Sequence, residues 1–365
     1  MKRLMAIGAA AAVASVASGQ ESVRCWGGGV IDTASYPNYG QSIVPLALGD
    51  VIAVAAGGYH TAVLRADGTV RCWGRDSESQ STTPVGLKNV VGLAVGHTFN
   101  VALRADGSIE CWGLNQFGEC TPPRDLGAVS LVAAGYWHAL ALQTDGNLRA
   151  WGDNSTGQAT VPTLTGVPTQ LSAGRLHNTI RMQDGSLQSW GSNGFGQAAV
   201  PAGIGPVTYV ACGNYHTLAI LPDRTVRAWG NNSSGQSTVP SSLENVVAVG
   251  GGEYHSVALR DDGSIVCWGS NVAINNGYPT NQCVVPPGLG RVSALAVGGY
   301  HAVVLTTICA ADTNLDASVD GIDLATVLTR WAQPAAKFPE ADCNRDGVID
   351  GADLAIVLGS WGACP

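Results

Sequence analysis

The sequence predicts a mainly β protein, a closed seven-bladed β-propeller of 39-residue repeats, followed by a small α-helical domain built on a duplicated calcium loop. Three observations carry this prediction. An apolar residue followed by Trp-Gly recurs at Trp73, Trp112, Trp151, Trp190, Trp229 and Trp268, always 39 residues apart. A seventh Trp-Gly, at Trp26, lacks the half-repeat that should precede it, and residues 292–305 (VSALAVGGYHAVVL) form a first half with no Trp-Gly after it. From residue 309 the composition turns acidic, and residues 311–331 recur 30 positions later as 341–361. A fixed period of this size marks units that cannot bury their own apolar faces. Complementary halves at the two ends predict that residues 21–308 close by pairing with each other.

Taken in order, residues 1–19 read as a secretory signal peptide. Lys2 and Arg3 give a basic start, residues 4–17 an apolar run, and Ala17-Ser18-Gly19 a small-residue cleavage site. The run is short of the ~18 residues that span a bilayer, and no other segment reads as transmembrane. The expected location is secreted, extracellular or cell-surface associated. Ten cysteines fit export, because disulfides persist outside the reducing cytosol. Cys111 and Cys120 occupy the same repeat positions as Cys267 and Cys283, once a seven-residue insertion after Trp268 is allowed for, so two local disulfides are expected. Cys212 replaces a repeat alanine and reads as a small core residue. The pairing of Cys25, Cys72, Cys309, Cys343 and Cys364 stays open.

The formal charge of −8 is uneven, since residues 309–365 hold nine Asp/Glu against three Lys/Arg. No basic stripe exists, which excludes a nucleic-acid partner. Only 13% of residues are charged and 48 are glycine, a composition for a tightly turned β body rather than a disordered chain.

Within one repeat, residues 51–56, 60–65 and 69–73 read as three short strands. Asp67-Gly68 marks a type I′ hairpin between the last two. The pair recurs at Asp106-Gly107, Asp145-Gly146, Asp184-Gly185 and Asp262-Gly263, and fails at Asp223-Arg224. A polar loop then leads to Val-Pro, read as a fourth strand at the edge, where Pro costs no ladder bond. Six histidines, His60, His138, His177, His216, His255 and His301, share one repeat position with Phe99. Identical positions on different blades cannot converge on one metal ion, so a packing role inside each blade is expected. The tryptophans read as core wedges rather than a sugar-binding stripe. The Trp-to-Pro loop is lengthened twice, after Trp26 and after Trp268, on blades that closure makes neighbours. These insertions carry Tyr36, Tyr39, Asn275, Asn276 and Tyr278, the candidate partner-binding residues, because insertions in repeats collect on binding faces.

The pattern G-x-x-H-T-x-A-L-x-x-D-G-x-V-x-x-W-G-x-N-x-x-G-Q resembles the repeat of regulator-of-chromosome-condensation (RCC1-like) propellers. It is more similar to the secreted β-lactamase-inhibitor-type members than to the nuclear exchange factors. The family's GQLG ending is here only Gly-Gln, as at Gly157-Gln158, Gly196-Gln197 and Gly235-Gln236, which argues against nucleotide exchange.

In the tail, oxygen side chains fall at loop positions 1, 3, 5, 9 and 12: Asp312, Asn314, Asp316, Asp320 and Asp323, then Asp342, Asn344, Asp346, Asp350 and Asp353. That spacing wraps a calcium ion, with the backbone carbonyls of Ser318 and Val348 at position 7. Leu324, Leu328 and Trp331, then Leu354, Leu358 and Trp361, fall on one helical face after each loop. The duplicated loop and helix resembles a type I dockerin, which implies calcium as cofactor and a cohesin-like module as partner. Loop positions 10 and 11 are Gly321-Ile322 and Gly351-Ala352 rather than the usual hydroxyl pair, so cohesin specificity does not carry over.

The function expected is a secreted, non-catalytic binding protein. Its propeller recognises a protein or glycan, and its calcium module docks it to a surface or extracellular complex. Two alternatives are a dockerin-borne enzyme of polysaccharide degradation and a propeller inhibitor of a secreted enzyme. No paired carboxylates stand out from the repeat background, so no catalytic residue is assigned.

Overall fold

The computed structural model describes residues 21–29, 32–273, 277–307, 311, 313, 318–335, 337, 338, 341–343 and 347–363. The β-branched and alanine-rich runs of each repeat form antiparallel ladders. Among the described residues there are seven three-stranded sheets. Six are built within one repeat, as in Val51–Ala56, His60–Arg65 and Val70–Gly74. The remaining one takes strands from both ends of the chain: Glu21–Gly27 pairs with His301–Thr307, Glu21 opposite Thr307 and Gly27 opposite His301, and His301–Thr307 pairs with Arg291–Val297.

Two features differ from expectation. The Val-Pro segment makes no fourth ladder; it contributes apolar contacts instead, as Val239 does against Leu243 and Trp268. A proline inside so short a run removes one of its few donors. The hairpin is not type I′ either. Gly68 N–H donates to Arg65 O, Arg65 N–H donates to Thr69 O, and positive φ falls on Gly68 (+76°) alone. This is a type I turn closed by a left-handed residue in a three-residue loop. The Asp67 carboxylate accepts the Thr69 N–H, which explains the Asp of the repeat.

At Asp223-Arg224 the same left-handed position is filled by Arg224, at φ 64°. An L-residue there costs roughly 1–2 kcal/mol. Its ion pair with Asp261 (2.5 Å) is exposed and offsets at most about 1 kcal/mol. Arg224→Gly is therefore expected to raise stability by up to about 1 kcal/mol, read as a shift of the urea midpoint.

The core lies between sheets rather than within them. Val70 and Leu64 pack on Leu93 and Trp112 of the following repeat. The terminal sheet does the same on the first repeat, with Val23, Ala294 and Val303 against Val54 and Trp73. In all seven propeller Trp-Gly pairs the indole N–H donates to the Gln or Glu carbonyl that ends the preceding loop, from Trp73 to Gln41 O (2.9 Å) through Trp268 to Gln236 O (2.8 Å) and Trp26 to Gln282 O (2.9 Å). The glycine after each tryptophan has no room for a side chain. A Cβ on Gly74 would stand 2.7 Å from Tyr59 O at φ +104°. Trp-Gly is thus the clamp that joins one unit to the next.

The six repeat histidines are buried, and five of them bond across the seam and not inside their own blade, His255 alone of the six making no such bond. His60 Nε2 meets Asn100 Oδ1 at 3.1 Å, and His177 meets the Thr217 hydroxyl at 3.0 Å. His216 meets the Ser256 hydroxyl at 2.8 Å, and His301 the Thr61 hydroxyl at 2.9 Å. Short backbone bonds also cross the seams beside each histidine. Gly58 N–H donates to His97 O, Arg175 N–H to Asn214 O, Glu253 N–H to Gly299 O, and Gly299 N–H to Gly57 O.

The tail has its own small core of Val319, Val327, Ile349 and Val357. Helix α1 (Gly321–Thr329) and helix α2 (Gly351–Gly359) begin at Asp320 and Asp350, each closing a capping box. Val327 and Val357 are buried in this core, whereas Leu328, Trp331, Leu358 and Trp361 of the predicted apolar face are exposed. No described helix is long and apolar enough to cross a membrane.

Candidate functional site

Cys111 and Cys120 are bonded to each other, as are Cys267 and Cys283. Cys25 and Cys72 are not paired and pack in different interfaces, Cys25 with the terminal sheet and Cys72 with the second repeat. Cys212 is buried. Cys309 and Cys364 lie outside the described residues.

Of the partner-loop candidates, Tyr278 is exposed, Tyr36 and Tyr39 are half-buried, and Asn275 and Asn276 lie outside the described residues. The two lengthened loops border a hollow of about 530 Å³ lined by Trp26, Asn38, Tyr278, Pro279, Asn281 and Val284. Tyr36 and Tyr39 turn toward the neighbouring sheets, packing on Tyr59 and Tyr300. The Tyr36 hydroxyl donates to that of Tyr300 at 2.9 Å.

That contact leads to a surface that the loop lengths do not reveal. The segment between the first two strands of each repeat reads Gly-x-x-His, with Phe99 for the His in one unit, and its first x position varies widely in chemistry while the second is Tyr in four units. The pairs are Gly58-Tyr59, His97-Thr98, Tyr136-Trp137, Arg175-Leu176, Asn214-Tyr215, Glu253-Tyr254 and Gly299-Tyr300. Gly58, His97, Tyr136, Asn214 and Gly299 surround a single narrow cavity of about 60 Å³. Pockets for organic ligands run to roughly 300–1,000 Å³, so a ligand larger than a few waters sits over this opening and not inside it.

The rings there touch in sequence. Tyr59 stacks on Tyr300 (5.9 Å), His97 on Tyr136 (3.7 Å), and Tyr136 stands edge-on to Trp137 (4.5 Å). The Arg175 guanidinium lies 4.6 Å from the Tyr136 ring centre and 5.2 Å from that of Tyr215, and donates to the Tyr215 hydroxyl. Tyr215 leans on Tyr254 at 5.8 Å. Glu253 is only 8% exposed, and burial pushes its carboxyl above the usual range although the Tyr300 hydroxyl and the Arg175 charge pull the other way. Burial likewise pushes the Tyr136 phenol up to about 12. Such a surface offers flat apolar area, a few fixed polar groups and no pair of carboxylates. The signal for it was in the sequence: a column of an otherwise regular repeat in which Gly, His, Tyr, Arg, Asn and Glu alternate, beside a column rich in Tyr.

In the tail, Asp323, Asp353 and Asp342 are buried, and Asp342 Oδ1 has no hydrogen-bond partner. The Asp323 carboxylate accepts from Thr313 N–H (2.7 Å) and Asp320 N–H (2.9 Å). Among the described residues no three His, Cys, Asp or Glu side chains gather as a metal site. Asp312, Asn314, Asp316, Asn344 and Asp346 lie outside those residues. The donor chemistry fits a calcium ion, because buried carboxylates with an unsatisfied oxygen are what a hard cation takes up. Asp342, Asp350 and Asp353 would hold it in the second loop; Asp320 and Asp323 would do so in the first.

Three comparisons place this architecture. The model of the regulator of chromosome condensation (RCC1) repeat matches residues 51–80, 129–158, 169–197, 207–236 and 246–276. The model of the dockerin type I domain, a class that binds calcium, matches residues 310–359. No curated protein sequence matches the chain. Among solved structures, Prp20p of Saccharomyces cerevisiae is 18% identical with a TM-score of 0.66, covering 83% of this chain and 95% of that one. Human WBSCR16 is 20% identical with a TM-score of 0.62, over 79% and 99%. The CRINKLY WD40 ectodomain of the Arabidopsis thaliana receptor kinase ACR4 is 25% identical with a TM-score of 0.57, over 69% and 92%. The chain carries five RCC1 repeats on a propeller-like fold, followed by a type I dockerin domain.

Proposed function

We propose that the chain is a secreted, non-catalytic binding protein with two separable modules. Residues 1–19 direct export. Residues 21–308 form a closed seven-bladed propeller, a reading supported by the pairing of Glu21–Gly27 with His301–Thr307 and by the bond from Gly299 N–H to Gly57 O. Residues 309–365 bind two calcium ions and dock to a cohesin-like module on a surface or extracellular complex. The observation that carries the recognition role is the continuous run of rings and a guanidinium from Tyr300 and Tyr59 through His97, Tyr136 and Arg175 to Tyr215 and Tyr254. Aromatic residues and Arg give large contact area at low entropic cost, the composition of protein-binding hot spots. Acid/base work is unsupported: the charge that Glu253 feels is that of Arg175 and not a second carboxylate.

Capture from the envelope and secreted fraction of the producing cell, with the full chain and with residues 21–308, each in calcium and in EDTA, tests this division. Two partners are expected. One is lost on truncation or chelation, and one is held by residues 21–308 in EDTA. A propeller that captures nothing under either condition contradicts the recognition role.

A further inference from the structure

Glu253 is the feature of this surface that shape recognition does not explain. Its side chain is nine-tenths buried, and burying a carboxylate is costly unless it is paired. The ion pairs among the described residues are Arg104 with Glu110, Arg149 with Asp125 and Arg224 with Asp261, so Glu253 has no resident counter-ion. Its backbone N–H donates to Gly299 O, which sets it beside Tyr300, and the Tyr300 hydroxyl accepts from Tyr36. An ionised carboxylate has about four acceptor sites, so most of its capacity is open.

Arg175 does not fill that need. Its guanidinium is committed to the Tyr215 hydroxyl and to the faces of Tyr136 and Tyr215. It does show that this surface holds a guanidinium against aromatic rings. The neighbouring Arg75 lies 5.5 Å over Tyr39.

We infer that Glu253, next to Tyr254 in the chain and bonded through its backbone to Gly299 beside the Tyr59–Tyr300 stack, is the seat for one cationic side chain, a lysine or arginine, projecting from the protein that the propeller recognises. A single buried carboxylate on a surface of aromatic rings favours an organic cation over a metal ion, which takes several oxygen ligands. A partner carboxylate aimed at Arg175 is the competing contact, and it would leave Glu253 buried and unpaired. This inference rests on the recognition role proposed above and names the chemistry of its ligand.

The test uses the full-length protein and two probes, N-methylguanidinium and n-butylammonium chloride, at constant ionic strength, followed by tryptophan fluorescence and by proton NMR of the tyrosine rings. Saturable binding of at least one probe is expected, at least tenfold weaker in Glu253→Gln, which keeps the size and shape of the side chain and removes the charge. Glu253→Asp, which keeps the charge but withdraws it by one methylene, is expected to weaken binding too, guarding against a folding defect in the amide variant. Wild-type protein that shows no saturable response, or Glu253→Gln that binds as tightly, overturns the inference. Partner capture separates the two levels. Undiminished capture by Glu253→Gln, with capture lost in Trp137→Ala/Arg175→Ala, rejects the cation seat and leaves recognition standing. Capture indifferent to both sets of substitutions rejects both.

Discussion

Acidification from pH 7 is expected to unfold the propeller cooperatively, with a midpoint between pH 6 and pH 4. The seam histidines set this range. Asn100 Nδ2 donates to Gln80 O, so Asn100 Oδ1 must accept from His60, and the proton sits on Nε2. The Thr217, Ser256 and Thr61 hydroxyls donate to the Gln197, Gln236 and Gln41 carbonyls, which imposes the same tautomer on His177, His216 and His301. In each ring Nδ1 is buried with no hydrogen-bond partner, so a second proton creates an unpaired buried charge. Burial accordingly lowers His60, His138 and His216 to about 4, and His177, His255 and His301 to about 3, from the ordinary 6.5.

The unfolded chain therefore binds more protons than the folded one between pH 6.5 and those values, and stability falls as pH falls. Each pKa unit is worth about 1.4 kcal/mol, and six such sites together exceed the ~5–15 kcal/mol of an ordinary fold. Near-UV circular dichroism against pH reads the transition. A midpoint below pH 3, where carboxylates and not histidines titrate, would contradict the seam account. An internal check lies at His255, whose Nε2 also lacks a partner because the facing residue is Ala302. Ala302→Ser restores the hydroxyl found at the other seams and is expected to stabilise by about 1 kcal/mol, the typical net worth of a hydrogen bond.

Removing calcium is expected to unfold residues 309–365 and leave the propeller intact. Among the described residues the tail's core holds eight buried side chains, Ala311, Val319, Val327, Ala335, Ala341, Cys343, Ile349 and Val357, with Leu324, Phe338, Leu354 and Ile356 half-buried against it, a small core for a unit of this size. Against it stand the buried carboxylates Asp323, Asp342 and Asp353, whose removal from water costs free energy that a bound cation offsets. Binding free energy then becomes folding free energy, and stability rises by about 1.4 kcal/mol for each tenfold rise in free calcium above the dissociation constant. In EDTA the far-UV signal of α1 and α2 should be lost while the near-UV tryptophan signal of the propeller persists. Helical signal unchanged by EDTA would contradict the calcium reading.

How much of this was legible in the sequence follows from which physical constraints repeat. Trp-Gly is fixed by a clamp that recurs at every seam, so the 39-residue period exposed the units and their order. Cys111, Cys120, Cys267 and Cys283 repeat for the same reason. The hairpin type was misread because Asp67-Gly68 suits two loop lengths, and only the bond from Arg65 N–H to Thr69 O tells them apart. The histidines were placed in their own blades because a single repeat does not show that Asn100 or Thr217 belongs across the seam. The surface around Glu253 and Arg175 was missed for the opposite reason. Regularity drew notice to lengthened loops, whereas the informative residues vary in type at constant length. Leu328 and Trp331 obey helical periodicity, yet Val327 takes the core, because periodicity fixes a face and packing decides which part of it is covered.

The decisive measurement is partner capture in EDTA by the full chain carrying Trp137→Ala and Arg175→Ala, set against the unsubstituted chain with matched thermal melts. The proposed division of labour predicts that the EDTA-resistant partner is lost, while the calcium-dependent partner is still captured once calcium is restored. Retention of the EDTA-resistant partner by the substituted chain would contradict it, and would move recognition away from this surface to the hollow beside Tyr278.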